Sequence, residues 1–254
     1  MSYGFDERNI VLKTSSEIEI MREIGSLLKK VIARVVARAA PGVATRELDT
    51  LAYDLIIKAG AKPAFLGYKN YPATICASVN EQIVHGIPSE RKLRDGDIVS
   101  IDIGLFKKGF FSDTAVTVSV GNLDKKAEQL LNVTQEALKL GIKHSREGLR
   151  LGDISSAIET FVKSHGFSVV REYTGHGIGR QLHEPPQIPN FGKKDTGPRL
   201  KQGMTFALEP MVNEGGYKTK TLDDRWTVVT EDGGRSAHFE HTLAITADGP
   251  VVLT

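Results

Sequence analysis

Residues 95–121 read DGDIVSIDIGLFKKGFFSDTAVTVSVG. Two alternating runs flank Lys107-Lys108-Gly109, a pattern that predicts a β-hairpin. Ser100 and Asp102 share one side of the first strand, and Asp113, Ala115, Thr117 and Ser119 share one side of the second. Val99 and Ile101, with Val116, Val118 and Val120, point the other way, because successive strand residues alternate faces. Placed symmetrically about the turn, Asp102 and Asp113 are expected to oppose each other directly, where like charges are destabilising. A solvated sheet face would account for one such pair, but the chain holds a second.

The second copy begins about 106 residues later. Leu93-x-x-Gly96 followed by Asp102 matches Leu200-x-x-Gly203 followed by Glu209, and Asp113-Thr114-Ala115 is echoed by Glu240-His241-Thr242. Thr205, Ala207 and Glu209 share a face, as do Glu240, Thr242 and Ala244, with Phe239, Leu243 and Ile245 on the other side. Gly42 precedes Gly60 by 18 residues and Gly148 precedes Gly166 by 18, with a helical pattern between each pair. A spacing kept across helix, loop and hairpin marks an internal repeat, roughly 16–121 and 122–249. Each half contributes two carboxylates, a pseudo-twofold would gather all four, and four buried carboxylates need cations. With no linker between the halves and one site shared by both, the expectation is a single domain over 1–254.

Composition narrows the function classes. With 254 residues and 40% hydrophobic content the chain can bury a large core. A balance of 33 basic against 31 acidic residues gives no hint of a nucleic-acid or anionic-membrane partner. The start, MSYGFDERNIVLK, lacks a signal-peptide layout and no apolar run reaches a membrane span. Cys76 is the only cysteine, so neither a disulfide framework nor a cysteine-based zinc module is expected. A soluble, cytoplasmic protein is the expectation.

In order, Ser16-x-x-Glu19 reads as a capping box opening a helix to about residue 39, and Thr45 as the cap of the next, which ends at Ala59-Gly60. An aromatic loop, FLGYKNYP (65–72), precedes a strand-like ATICASVN (73–80) and the loop EQIVHGIP (81–88). Asp124 caps a helix to about Lys143; a strand over 167–173 leads into TGHGIGRQLHEPP (174–186), and 185–198 reads as a connector before the second sheet half, with Trp226 on the strand WTVVT.

Two histidines join the carboxylates. His176 stands in Gly175-His176-Gly177-Ile178-Gly179, where glycines admit close backbone approach, and His183 follows ahead of Glu184-Pro185-Pro186. His85 is also beside a glycine, and a His next to Gly is often ordinary turn chemistry. His144 and His165 lie near helix ends, where a cation suits the dipole. His241 should face away from Glu240, whereas His238 shares Glu240's face and is ambiguous. Carboxylate-rich sites with one imidazole suit Mn, Fe, Co or Zn.

These segments resemble type I methionine aminopeptidases in their short, bacterial-like form. The likeness runs from about residue 10 to the C-terminus and rests on ICASVNEQIVHGIP, DGDIVSIDIG, the Asp113-Thr114 step, EYTGHGIGRQLHEPP, GMTFALEPMV and FEHT. It implies an α+β, pita-bread (creatinase/aminopeptidase) fold of two pseudo-symmetric halves, an antiparallel β-sheet covered by helices. It implies two divalent metal ions (Co, Mn, Fe or Zn) on Asp102, Asp113, His176, Glu209 and Glu240, with Asp113 and Glu240 bridging. His85 and His183 would contact substrate around the scissile bond, and Glu209 would accept the proton of the attacking water. Phe65, Tyr68, Tyr71, Cys76 and Trp226 fall where relatives build the methionine pocket. Two positions depart from that pattern: Phe65 stands where bacterial relatives carry Cys, and Leu182 where they carry Phe.

The implied reaction is removal of the initiator methionine from nascent polypeptides, met at the ribosome, by a monomer, with a small second residue preferred. The alternatives are a general or X-Pro metallo-aminopeptidase of the same fold, or a non-catalytic binding paralogue. Prolidases carry a further N-terminal domain, and a binding paralogue would have lost ligands; all five stand in this sequence.

Overall fold

In the computed structural model, which describes residues 9–254, the central hairpin turns one step later than its symmetry suggests. Strands β4 (Ile98–Lys107) and β5 (Phe110–Ser119) pair so that Lys107 meets Phe110. Lys108 and Gly109 form the two-residue turn, with φ of 52° and 86°. Positive φ at both positions matches the right-handed twist of the flanking strands. Asp102 therefore faces Ala115, and Asp113 faces Gly104. The two aspartates share a face as diagonal neighbours, which corrects the direct opposition expected from sequence.

Among the described residues, four α-helices, α1 (Ser15–Val36), α2 (Thr45–Lys58), α3 (Lys125–His144) and α4 (Leu151–Ser164), accompany the sheets. The other strands before α3 are β1 (Lys62–Pro63), β2 (Ile75–Val79) and β3 (Gln82–Val84). After α4 come β6 (Ser168–Val169), β7 (Gly175–Gly177), β8 (Glu184–Ile188), β9 (Thr205–Leu208) and β10 (Met211–Asn213). The last are β11 (Thr219–Thr221), β12 (Val228–Thr230), β13 (Ser236–His238), β14 (Glu240–Thr246) and β15 (Gly249–Val252). The main antiparallel sheet runs β1-β4-β5-β14-β9-β7-β8, with β2 added to β4 and β15 to β14.

One residue parity of this sheet packs on the helices. Ile101 and Ile103 join Leu28, Leu48 and Ile56 in one cluster; Phe206, Leu243 and Ile245 join Leu130, Ile154 and Ile158 in another. Each such buried side chain contributes roughly 1.5–3 kcal/mol, so the strands cannot slip by one residue without turning these outward. The opposite parity is left for the carboxylates.

The two halves repeat their hydrogen bonds. Gly42 N–H donates to Leu93 O at 2.8 Å and Gly148 N–H to Leu200 O at 3.1 Å. At the third residue of α2 and α4, Glu47 and Asp153 accept the backbone N–H of Ala44 and Arg150.

Several local expectations shift. The first capping box uses Thr14 and Glu17 rather than Ser16 and Glu19, because Glu17 Oε2 reaches Thr14 N–H at 2.8 Å, and α1 ends at Val36 rather than near residue 39. Ala44, not Thr45, caps α2; the Thr45 hydroxyl instead bonds both the N–H and C=O of Ser89. The strand expected over 167–173 is only Ser168–Val169, part of the 185–198 connector is the ladder strand β8, and Trp226 precedes β12. Asp124 caps α3 as expected, accepting from Lys126 and Ala127 N–H. Among the described residues no helix is long and apolar enough to cross a membrane. The Met1 start, read as lacking a signal-peptide layout, lies partly in residues 1–8, outside those described.

Candidate active site and metal centre

The ladder registers arrange the acidic face in two rows. In the first, Cys76 faces Asp102, Asp102 faces Ala115 and Ala115 faces Glu240. In the second, Gly104 faces Asp113, Thr242 faces Ala207 and Ala207 faces His176. Asp113 and Thr242 join the halves of that second row: Asp113 N–H donates to the Thr242 hydroxyl at 3.1 Å, and that hydroxyl donates to Asp113 O at 2.8 Å. Glu209 directly follows β9, whose Leu208 faces His241, so it falls beside Glu240. Small residues at Ala115, Ala207 and Gly104 leave room for the acidic groups between them.

Ligand atoms of Asp113, His176 and Glu240 lie within 4.8 Å of one another, and all three residues are buried. His176 Nε2 stands 3.9 Å from Asp113 Oδ2 and 3.6 Å from Glu209 Oε1. His176 Nδ1 lies 2.9 Å from Gly177 O, which puts the ring proton on Nδ1 and leaves Nε2 with a lone pair toward the carboxylates. Asp102 and Glu209 open onto the same cavity, of about 640 Å³.

The electrostatics follow from crowding. Burial, then Asp113 and Glu209, push Asp102 well above the usual carboxylate range, and burial, then the same two neighbours, do so for Glu240. Asp113 rises through burial and Glu209, and Glu209 through burial. Asp102 Oδ1 and Glu240 Oε1 are enclosed without a hydrogen-bond partner. Unpartnered buried acceptors are costly, and hard or borderline divalent cations are the partners that oxygen-rich sets with one imidazole accept. The residues present therefore fit divalent metal: Asp113, His176 and Glu240 around one point, with Asp102 and Glu209 adjoining.

The expected substrate residues line the same cavity. His183 packs its ring 4.1 Å from that of His176, and its Nδ1 lies 2.9 Å from the Tyr68 hydroxyl. Burial, then His176, hold the His183 imidazole down to about 3, so it is neutral at working pH. His85 sits at φ 59°, edge-on to Trp226 and Tyr173, and burial lowers it to about 4. Tyr71 donates its hydroxyl to Ile75 O at 3.0 Å and packs edge-on to Trp226, so it offers the cavity a ring rather than a donor. Burial, then Asp102, push the Cys76 thiol up, which keeps it an apolar wall. Phe65 and Leu182 complete that wall. His144 and His165 bond the carbonyls of Leu140 and Phe161 at their helix ends, and His241 pairs with the Thr254 hydroxyl.

Other contributors escaped the sequence. Tyr173 and Met211 line the cavity, Asn190 donates to Glu209 O at 2.9 Å, and Lys13 bonds Glu184 beside His183. Thr242 alone carried a signal, its shared parity with Glu240. Lys13 lies far from the site in sequence and Asn190 falls in the stretch read as a connector, and neither carries a signal.

A curled antiparallel sheet with helices behind it and a carboxylate–histidine cluster in front defines a metallopeptidase of the pita-bread class. The sequence profile of metallopeptidase family M24 matches residues 19–247. Methionine aminopeptidase 1 of Bacillus subtilis is 51% identical over 245 residues, 96% of this chain and 99% of that one. The crystal structure of a methionine aminopeptidase from Thermotoga maritima superposes with a TM-score of 0.95 at 46% identity, covering 96% of this chain and 99% of that one. A prolidase from Pyrococcus furiosus shares the fold at a TM-score of 0.79 and 24% identity, 96% of this chain covering 65% of that one. The chain belongs to metallopeptidase family M24, among its type I methionine aminopeptidases.

Proposed function

We propose that the chain hydrolyses the peptide bond after an N-terminal methionine of nascent proteins, at a site that takes two divalent ions, Co, Mn, Fe or Zn. The observation that carries this is the convergence of Asp113, His176 and Glu240 ligand atoms within 4.8 Å on the wall of an aromatic-lined cavity. We assign Asp102, Asp113, His176, Glu209 and Glu240 as metal-holding residues, the two halves of the chain forming one catalytic unit over 1–254. Divalent ions bound there supply water activation near neutral pH and polarisation of the scissile carbonyl.

The remaining chemistry falls to side chains. With the Tyr68 hydroxyl donating to His183 Nδ1, the imidazole proton stands on Nε2, ready to donate to the scissile carbonyl oxygen as charge develops. Glu209 accepts the proton of the attacking water; its burial-raised affinity for a proton suits that role. His85, held by Trp226 and Tyr173, contacts the scissile amide or leaving amine. Phe65, Tyr68, Tyr71, Cys76 and Trp226 receive the methionine side chain, whose unbranched, polarisable thioether suits an irregular aromatic slot. The partners are nascent N-termini at the ribosome, and the working form is a cytoplasmic monomer.

The test is to strip metal and follow methionine release from Met-Ala-Ser as single divalent ions are returned. Activity restored by one or more ions supports the reading; equal turnover in chelator overturns it.

A further inference from the structure

His238 is buried at 1% exposure yet does not line the cavity. It stands behind Glu209, at the end of β13, where its main chain is fixed from both sides. Its N–H donates to the Thr117 hydroxyl at 2.8 Å, and the same hydroxyl donates to His238 O at 2.8 Å. The ring is less settled, for neither nitrogen has a hydrogen-bond partner. Nε2 nevertheless lies 3.4 Å from Glu209 Oε2, while the other carboxylate oxygen, Oε1, stands 3.6 Å from His176 Nε2. Glu209 is thus flanked by an imidazole on each oxygen.

We infer that His238 is a positioning residue for Glu209, donating from Nε2 to Oε2 so that Oε1 stays turned toward His176 and the cation-binding cluster. The inference rests on the metal-binding reading above. Of the two neutral tautomers, the one with the proton on Nε2 leaves only an acceptor, Nδ1, without a partner, and an enclosed unpaired donor is the rarer outcome. A residue that fixes one oxygen of a ligating carboxylate acts on both metal affinity and proton acceptance, as groups behind a first ligand do elsewhere.

The experiment uses the full chain stripped of metal, titrated with manganese(II) alone by calorimetry, alongside its metal-free melting temperature and kcat at saturating manganese. His238→Leu and His238→Asn, neither able to donate to Glu209, should each lose about 10- to 100-fold in manganese affinity. His238→Gln, whose longer amide reaches the same oxygen, should recover most of that loss. The metal-free melting temperature of His238→Leu should stay level or rise, because an unpartnered buried polar ring is removed. A residue that only packs would lower that temperature and leave affinity unchanged. Wild-type affinity in both His238→Leu and His238→Asn, or equal losses in His238→Asn and His238→Gln, overturns the assignment. Asp113→Asn serves as the control. If it also binds manganese as the wild type does, the metal-binding reading itself fails, an outcome distinct from failure at His238.

Discussion

Lys13 and Glu184 form an ion pair that is almost wholly enclosed, at 2% and 8% side-chain exposure. Lys13 reaches it by laying its stem across Gly179, where a Cβ would come within 2.3 Å of Lys13 Cε. Glu184 also accepts Gln181 N–H at 3.0 Å. Glu17, in the capping box of α1, adds a second hold through Arg180 at 2.9 Å. The segment before α1 thereby grips the turn that presents His183.

Removing one partner of a buried pair costs about 3–5 kcal/mol, because the other charge is left uncompensated. Lys13→Met should therefore lower the melting temperature. It should also reduce kcat in the protein that remains folded, with metal content unchanged. In a His183→Ala background the same substitution should have little further effect on kcat. A double-mutant cycle checks this: additive losses would separate Lys13 from His183.

The contribution of the carboxylate cluster to metal-free stability should depend on pH in a direction opposite to that of ordinary paired carboxylates. Asp113 and Glu209 both rise to about 7 in the fold, so the folded state holds protons that the unfolded chain releases. Their protonated forms favour folding below the ordinary carboxylate range near 4, and that contribution is lost as pH climbs toward 7. His85 and His183, lowered to about 4 and 3 by burial, gain stability over the same rise in pH, so the carboxylates read out as a difference: the melting temperature should climb more steeply with pH in saturating divalent metal than in the stripped protein. Thermal unfolding at stepped pH, with and without manganese, measures both.

Asp113→Asn removes one of the crowded charges while keeping the side chain's shape. The stripped variant should melt no lower than the stripped wild type, with a pH slope shifted toward rising stability at higher pH, yet turnover should be nearly abolished at saturating metal. Substantial residual activity would remove Asp113 from the metal-holding set.

His183→Ala tests the assigned oxyanion donor. Loss of one such donor typically lowers kcat about 100- to 1,000-fold, and metal content should be unchanged because His183 is assigned no metal contact. A metal-poor variant would instead put His183 among the ligands.

Substrate choice supplies the last test. In a Met-X-Ser series, kcat/KM should be high for X = Ala or Ser and very low for X = Lys or Glu, since the second side chain must pass the His85 turn. Leucine in place of methionine should be cut slowly, as apolar pockets discriminate by only about 1–3 kcal/mol. Equal rates for Ala and Lys at X would point to a general aminopeptidase.

Alternation made the acidic face legible, because a strand with one buried side leaves no choice about where Asp102 and Asp113 point. The offset between them was not legible. It depends on whether Lys107 closes the ladder or joins the turn, and Lys-Lys-Gly permits both. The parity of His238 was visible in sequence, but its contact with Glu209 depends on the return of β13 alongside β10. The Lys13–Glu184 pair left no trace at all. An isolated lysine before a helix reads as solvated, and only the course of residues 10–13 over the Gly179 turn encloses it.

Strand β14 lies between β5 and β9 in the main sheet, and this fixes when the molecule becomes competent during synthesis. The early helices and the β4–β5 hairpin can pack as soon as they emerge. Until β14 arrives, β5 and β9 are open edges with no partner on their shared side. The same strand brings Glu240. A nascent chain halted before it should be inactive and prone to association, and one added strand should both seal the sheet and complete the centre.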